Sequence, residues 1–87
     1  MSYRLVYTRQ AQRDAKKISR AGLKKNVINL LSILEENPYQ SPPRYEKLPG
    51  DLEGAFSRRI NIQHRLVYQV IEEDKVVKII RMWTHYE

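Results

Sequence analysis

The stretch from Phe56 to Val70 contains two runs, Phe56 to Ile60 and His64 to Val70, that we interpret as alternating between a polar and an apolar face. Such alternation is typical of β-strands, because successive side chains point to opposite faces of a sheet. The short connection Asn61 to Gln63 joins the runs, so the pattern predicts a β-hairpin. This hairpin constrains the fold most, since a chain of 87 residues has to build its single core against it.

The predicted hairpin carries three arginines, Arg58, Arg59 and Arg65. Arg59 and Arg65 lie on either side of the connection, so the hairpin is expected to bring them close together. Guanidinium groups can bind phosphate bidentately and can stabilise charge that develops on a transferring phosphoryl group. The alternative is that the arginines line the solvated face of the sheet.

The formal net charge of +6 indicates a polyanionic partner, with nucleic acid the commonest and an acidic protein or membrane surface as alternatives. The chain has no cysteine, which excludes disulfides, a thiolate nucleophile and a zinc site built on thiolates. No signal peptide and no run of eighteen apolar residues is visible. We therefore expect one cytoplasmic domain spanning residues 1–87, with no membrane contact.

The residues before the hairpin predict a strand and two helices. Tyr3 to Tyr7 is rich in aromatic and branched residues, as strands are. Thr8 is placed to cap a basic amphipathic helix from Arg9 to Ser19. Gly22 breaks this helix, and a second apolar stripe with helical spacing ends before Pro38. That stripe consists of Leu23, Val27, Leu30, Leu31 and Leu34.

After the hairpin, Glu72 to Asp74 is expected to form a turn and Lys75 to Met82 a last strand. The order of these elements predicts a small single α+β domain. It has an N-terminal strand, a helical hairpin and then three antiparallel strands in one sheet, with both helices on one face.

Two further positions could carry acid-base chemistry. Glu46 is a carboxylate in a basic neighbourhood, which suits a general base that takes the proton of a ribose hydroxyl, although a surface ion pair is the alternative. His85, followed by Tyr86, could protonate a leaving oxygen, although a frayed tail would give the same sequence. His64 is expected to be structural.

Tyr39 and Tyr45 lie near basic residues and have two possible roles. They could stack on the exposed bases of single-stranded RNA. They could equally cover an edge of the core.

Two motifs make the chain similar to a known family. They are Leu-x-Gly-x-x-Ser-Arg-Arg-Ile, ending at Ile60, and His-Arg-Leu-Val-Tyr, ending at Tyr68. Together with the segment that begins at Glu46 and the final His85-Tyr86 pair, they resemble the YoeB/Txe branch of the RelE-type toxins of bacterial toxin-antitoxin systems. The resemblance spans nearly the whole chain and implies a RelE-like microbial ribonuclease fold.

The resemblance also implies a function. It is that of a metal-independent mRNA interferase, which cuts the message in the ribosomal A site without a cofactor. Carried over by position, Glu46 is the general base on the 2′-hydroxyl, Arg65 stabilises the pentacovalent phosphate and His85 is the general acid. Tyr86 orients the base or the phosphate, and Arg59 holds a phosphate.

The partners implied by the resemblance are a neighbouring YefM/Phd-type antitoxin, the ribosome and mRNA, and related toxins suggest a homodimer. Arg58 and Lys47 are further candidates for substrate binding. Lys47 is included because Pro49 occupies a position where members of the family often carry a lysine, and Lys47 could supply that basic group instead. Two other functions stay open as alternatives. One is a basic module that binds RNA without cutting it, and the other is a module that binds an acidic protein segment.

Overall fold

The computed structural model describes residues 2–48 and 54–83. In these residues the predicted elements follow in the predicted order, with one additional strand. The elements are strand β1 (Arg4–Tyr7), helices α1 (Arg9–Arg20) and α2 (Lys24–Glu36), strands β2 (Tyr45–Lys47), β3 (Ala55–Arg59) and β4 (Arg65–Ile71), a single 3-10 turn (Glu72–Asp74) and strand β5 (Val76–Arg81). The predicted hairpin corresponds to β3 and β4.

The ends of the helices follow from local chemistry. Thr8 Oγ1 accepts a hydrogen bond from the backbone N–H of Ala11 at 3.0 Å, which confirms the predicted cap of α1. Gly22 has a φ of +76°, a left-handed conformation that glycine adopts without strain, so the predicted break is also confirmed. Helix α2 ends at Glu36, before Pro38, and the two helices form the predicted hairpin.

The five strands form one mixed sheet in the order β1-β5-β4-β3-β2. The last three strands, β3 to β5, are antiparallel neighbours, as predicted. β1 pairs parallel with β5 at one edge, and β2 pairs antiparallel with β3 at the other. β2 has no counterpart among the predicted elements, because three residues are too few to show an alternating pattern.

The core lies between the helices and one face of the sheet. Buried side chains from α1, α2, β4 and β5 form its centre, and they include Ile18, Leu34, Leu66, Tyr68 and Ile79. Both helices therefore lie on one face of the sheet, as predicted, and neither helix covers the opposite face. No helix within residues 2–48 and 54–83 has the length and apolar character needed to cross a bilayer.

Candidate active site

Three of the predicted site residues, Glu46, Arg59 and Arg65, lie on one face of the sheet. Glu46 in β2 is directly opposite Ser57 in β3, and Ser57 is directly opposite Val67 in β4. Residues that face each other across neighbouring strands project from the same side. Arg59 and Arg65 also face each other, and each is two residues from the Ser57–Val67 pair, which keeps them on that side. The site therefore lies on the sheet face opposite the helices.

Glu46 and Arg65 form an ion pair at the centre of this face. Nη1 of Arg65 donates to Oε1 of Glu46 at 3.0 Å and to Oγ of Ser57 at 3.3 Å. The Glu46 side chain is 47% exposed, whereas that of Arg65 is only 17% exposed. The carboxylate is thus accessible to a ligand, while the guanidinium group is held in place from two sides.

A shallow depression of about 120 Å³ surrounds this pair, and Arg44, Glu46, Arg59 and Arg65 line it. Nη2 of Arg44 lies 3.8 Å from Oε2 of Glu46. Three arginines and one glutamate give the depression an excess of two positive charges. The guanidinium groups can bind a phosphodiester, and the accessible carboxylate among them can remove a proton next to it.

Arg44 was not predicted to belong to the site, yet it is one of the four side chains at the depression. The sequence contains one signal that could have found it. Arg44 precedes Glu46 by two residues, which is the spacing that puts two side chains on the same face of an extended segment. That signal is usable only once Glu46 is known to lie on a strand.

The prediction that Arg58 binds substrate is wrong, because Arg58 is fully buried on the helix side of the sheet. Its Nε donates to the hydroxyl of Tyr68 at 2.9 Å. Its terminal nitrogens donate to the backbone carbonyls of Pro38, Gln40 and Pro43 at 2.9, 2.8 and 2.6 Å. The guanidinium group is thus engaged inside the protein and is unavailable to a phosphate.

Arg58 also supports the segment that leads into the site. Its guanidinium carbon lies 4.8 Å from the centre of the Tyr45 ring, a cation–π contact. Tyr45 pairs with Arg58 across β2 and β3 and immediately precedes Glu46. A three-residue edge strand has few backbone hydrogen bonds of its own. The buried contacts of Arg58 therefore help to fix β2, and with it the carboxylate of Glu46.

Lys47, the other predicted substrate-binding residue, is exposed but does not line the depression. It follows Glu46 directly in β2 and lies opposite Phe56, a residue packed against the core. Adjacent strand residues point to opposite faces. The side chain of Lys47 therefore lies on the sheet face opposite to the one that carries Glu46 and Arg65.

His85 and Tyr86, the predicted general acid and its neighbour, lie outside the described residues, as do Pro49 and Glu87. The described chain before them is fixed by Asp14, a fully buried residue of α1. Oδ2 of Asp14 accepts hydrogen bonds from the N–H groups of Met82 at 2.9 Å and Trp83 at 3.2 Å. The same oxygen accepts a hydrogen bond from Nε of Arg81 at 2.9 Å.

The pKa of Asp14 reflects two opposing effects. Burial raises it, but the hydrogen bonds from Met82, Arg81, Gln10 and Trp83 stabilise the carboxylate and lower it below its usual value. Asp14 is therefore ionised at neutral pH and anchors the end of β5 to α1.

The remaining aromatic and histidine candidates have structural roles in the fold. Tyr39 and Tyr45 contact Phe56 edge to face, with ring centres 6.0 and 5.4 Å apart, so they cover an edge of the core. His64 is buried and stacks on Trp83 with ring centres 3.9 Å apart, as the structural prediction requires. In residues 2–48 and 54–83, no group of three or more His, Cys, Asp or Glu side chains could hold a metal ion.

Comparison with known proteins gives a consistent family. A family model described as the YoeB-like toxin of bacterial type II toxin-antitoxin systems matches residues 7–86. A relative named toxin YoeB from Synechocystis sp. is 34% identical over 65 residues, which cover 75% of this chain and 73% of the relative.

Solved structures match the fold over almost its full length. The YoeB/ParE toxin from Agrobacterium tumefaciens has a TM-score of 0.84 and 29% identity, covering 95% of this chain and 99% of its own. YoeB from Staphylococcus aureus is 32% identical and covers 99% of this chain and 100% of its own. It has been solved as a YoeB-YefM complex and as a YoeB dimer, with TM-scores of 0.80 and 0.83.

Proposed function

The chain belongs to the YoeB-like toxins of bacterial type II toxin-antitoxin systems, and from this membership we propose that it is a metal-independent endoribonuclease that cuts mRNA on the ribosome. The observation that carries the proposal is the 3.0 Å contact between Glu46 Oε1 and Arg65 Nη1 in an accessible, basic depression. RNA supplies its own nucleophile, the 2′-hydroxyl. The protein then needs a base, an acid and stabilisation of charge, all of which side chains can provide.

In this proposal Glu46 is the general base. Its exposed carboxylate takes the proton of the 2′-hydroxyl, whose oxygen then attacks the adjacent phosphorus. The bond from phosphorus to the 5′-oxygen breaks as the new bond forms. The products are a 2′,3′-cyclic phosphate and a 5′-hydroxyl.

Arg65 and Arg59 stabilise the phosphate in the transition state. Arg65 is the better oriented of the two, because Glu46 and Ser57 both accept hydrogen bonds from it in the free protein. A donor that is already oriented costs little reorganisation when charge develops. Arg44, at the outer side of Glu46, adds a further phosphate contact.

His85 completes the proposed chemistry as the general acid that protonates the departing 5′-oxygen, and Tyr86 orients the base or the phosphate. These two roles come from the family resemblance. The described structure contributes the anchor of the preceding chain, where Asp14 holds the N–H groups of Met82 and Trp83.

The proposed partners are the ribosome, its mRNA and a YefM-type antitoxin, met in the cytoplasm. Residues 9–25 contain seven lysines and arginines, and the only acidic residue among them is Asp14, which is buried. Such a basic segment suits phosphate contacts with ribosomal RNA. The S. aureus relative is found in a complex with YefM and as a dimer, and we propose both states for this chain.

The test is primer extension on a defined message in a reconstituted bacterial translation system. The purified protein is added to translating ribosomes and, separately, to the same RNA without them. Glu46→Gln keeps the shape of the side chain and removes the base, so we expect cleavage to fall by about 10²- to 10⁴-fold. Glu73→Gln, which changes an exposed carboxylate in the 3-10 turn, is the matched control and should cleave normally.

Cleavage at in-frame positions that requires ribosomes, is lost in Glu46→Gln and is retained in Glu73→Gln would support the full proposal. Cutting without ribosomes would identify a free ribonuclease instead. Binding to RNA with no cutting in either sample would favour the non-catalytic binding module.

A further inference from the structure

Trp83, which follows β5, is the last residue that the structure describes, and it is held at three points. Oδ2 of Asp14 accepts a hydrogen bond from the N–H of Trp83 at 3.2 Å, and the carbonyl of Trp83 accepts one from Nη2 of Arg81 at 3.0 Å. The ring of Trp83 stacks on that of His64, with centres 3.9 Å apart and an angle of 21° between the planes. Both the backbone and the side chain of Trp83 are therefore fixed, two residues before His85 in the sequence.

The His64 side of this stack belongs to the hairpin that carries Arg65. His64 is buried, and Arg65 follows it directly at the start of β4. The N–H of His64 donates to Oδ1 of Asn61 at 2.8 Å, and the carbonyl of His64 accepts a hydrogen bond from the N–H of Ile60 at 2.8 Å. The Trp83–His64 stack thus ties the end of the described chain to a fixed point next to Arg65.

The other attachment of Trp83 is a charged clamp formed by Asp14 and Arg81. Asp14 is fully buried in α1, and Nε of Arg81 donates to its Oδ2 at 2.9 Å. Arg81 thus reaches the carboxylate with one nitrogen and the Trp83 carbonyl with another. Hydrogen bonds that involve an ionised group are stronger than neutral ones, and chain ends are poorly ordered unless they are tied down. The clamp therefore gives the chain a defined direction where it leaves β5.

We propose that Trp83 is a positioning residue for the general acid, His85. The clamp and the stack hold Trp83 next to the strand that carries Arg65, so that His85 acts on the phosphate that Arg65 binds. Two residues of chain span no more than about 7 Å, so fixing Trp83 limits the positions that His85 can reach. The inference rests on the general-acid role of His85 in the proposed function.

The alternative is that the clamp and the stack only stabilise the fold. A message in which sulfur replaces the 5′-bridging oxygen at the cleaved bond separates the two roles. When the bond from phosphorus to sulfur breaks, its electron pair leaves on sulfur as a thiolate, which needs no proton because thiols are far more acidic than alcohols. A misplaced acid is therefore compensated by sulfur, whereas a lost base or an unfolded protein is not.

The test is single-turnover cleavage on programmed ribosomes of two synthetic messages that differ only in this atom. Trp83→Ala should cut the oxygen message about 100-fold more slowly than the parent, since a small misplacement of a catalytic group has a cost of that order. It should cut the sulfur message at close to the parental rate. His85→Ala is the reference for this pattern, and Glu46→Gln should be slow on both messages. Trp83→Phe keeps an aromatic ring for the stack and should restore most of the rate on the oxygen message.

A second pair of variants changes the stack from its other side. Trp83 is the single tryptophan of the chain, so its fluorescence reports directly on the stack. His64→Ala should shift the emission to longer wavelength and should slow cleavage of the oxygen message alone. His64→Phe keeps a flat ring and should stay close to the parent in both measurements.

The matched control for stability is Ile79→Val, which removes one methylene from a fully buried residue of β5, the strand that leads to the clamp. Any loss of folded protein should slow cleavage of the two messages equally, so the ratio of the two rates should equal that of the parent. Circular dichroism establishes that each variant is folded.

The outcomes separate this inference from the proposed function. Equal slowing on both messages by Trp83→Ala and His64→Ala, with His85→Ala restored by sulfur, would overturn the positioning role and leave the ribonuclease proposal intact. Normal cleavage of the oxygen message by Trp83→Ala would do the same. If His85→Ala stays slow on the sulfur message, His85 is not the general acid and both proposals lose that step. A parent that cuts neither message would overturn both.

Discussion

Arg58 and Arg59 are neighbours in β3, but the first is fully buried and the second lies at the exposed depression beside Glu46. The reason is the period of the strand, which sends adjacent side chains to opposite faces. Arg58 has the same parity as Phe56 and Ile60, both of which pack in or against the core. Arg59 has the parity of Ser57, which contacts Arg65. Two identical residues therefore have different roles, one in folding and one in the proposed chemistry.

Arg58→Lys should destabilise the protein. Lysine has three donors on one nitrogen and cannot reproduce the planar fork that reaches Pro38, Gln40 and Pro43. At about 1–3 kcal/mol for each buried acceptor left unsatisfied, the expected loss is about 3 kcal/mol. Urea unfolding measures it. A change of less than about 0.5 kcal/mol would contradict the structural role of Arg58.

Arg59→Ala should leave the stability of the protein almost unchanged but should reduce message cleavage. Arg59 is exposed, so the free energy of unfolding should change by no more than about 0.5 kcal/mol. Message cleavage should fall by about 100-fold, because one donor to the transition-state phosphate is lost. Arg4→Ala, an exposed arginine in the strand at the other edge of the sheet, is the control and should cleave normally. Normal cleavage by Arg59→Ala would remove Arg59 from the site.

Asp14 should make stability depend on acid pH. Its pKa is lowered in the folded protein, so its contribution is fully present above the unfolded pKa, about 3.9, and is lost as pH falls through the folded value. Asp14→Asn should cost about 2 kcal/mol at pH 7, since it weakens charged hydrogen bonds to Arg81, Met82 and Trp83. Unfolding at a series of pH values checks this. The difference in the free energy of unfolding between parent and variant should narrow below about pH 4. A difference that stays constant with pH would refute the role of Asp14 as an ionised anchor.

Tyr39 should titrate at unusually high pH. Burial raises the pKa of Tyr39, and so do its hydrogen bond with Glu72 and the negative charge of that carboxylate. Together these effects raise the pKa of Tyr39 to about 12. Its hydroxyl lies 3.0 Å from Oε2 of Glu72. Because the folded pKa is raised, the associated stability is present below about pH 10 and is lost as pH rises towards 12. Phenolate absorbance should lack one high-pH component in Tyr39→Phe, and Glu72→Gln should move that component to lower pH. An unchanged titration in Tyr39→Phe would contradict the prediction.

The local patterns predicted most of the elements correctly. The helical stripes, the Thr8 cap and the Gly22 break give the helical hairpin, because caps and periodicity act over only a few residues. Alternation similarly located β3 and β4. β2 was missed, although it carries Glu46, because a three-residue edge strand is defined by its partner β3 and by contacts with Arg58.

The sequence by itself determined the elements, the basic charge, the family resemblance and the identity of Glu46, Arg59 and Arg65 as candidates. Only the tertiary structure decided which side chains meet. The tertiary structure places Arg44 at the depression, buries Arg58 in the core and directs Lys47 to the other face of the sheet. It also forms an apolar groove between the helices. The physical reason is that a side chain's partners depend on sheet register and on the packing of elements far apart in the chain. Those relations are fixed by long-range contacts, which local periodicity does not contain.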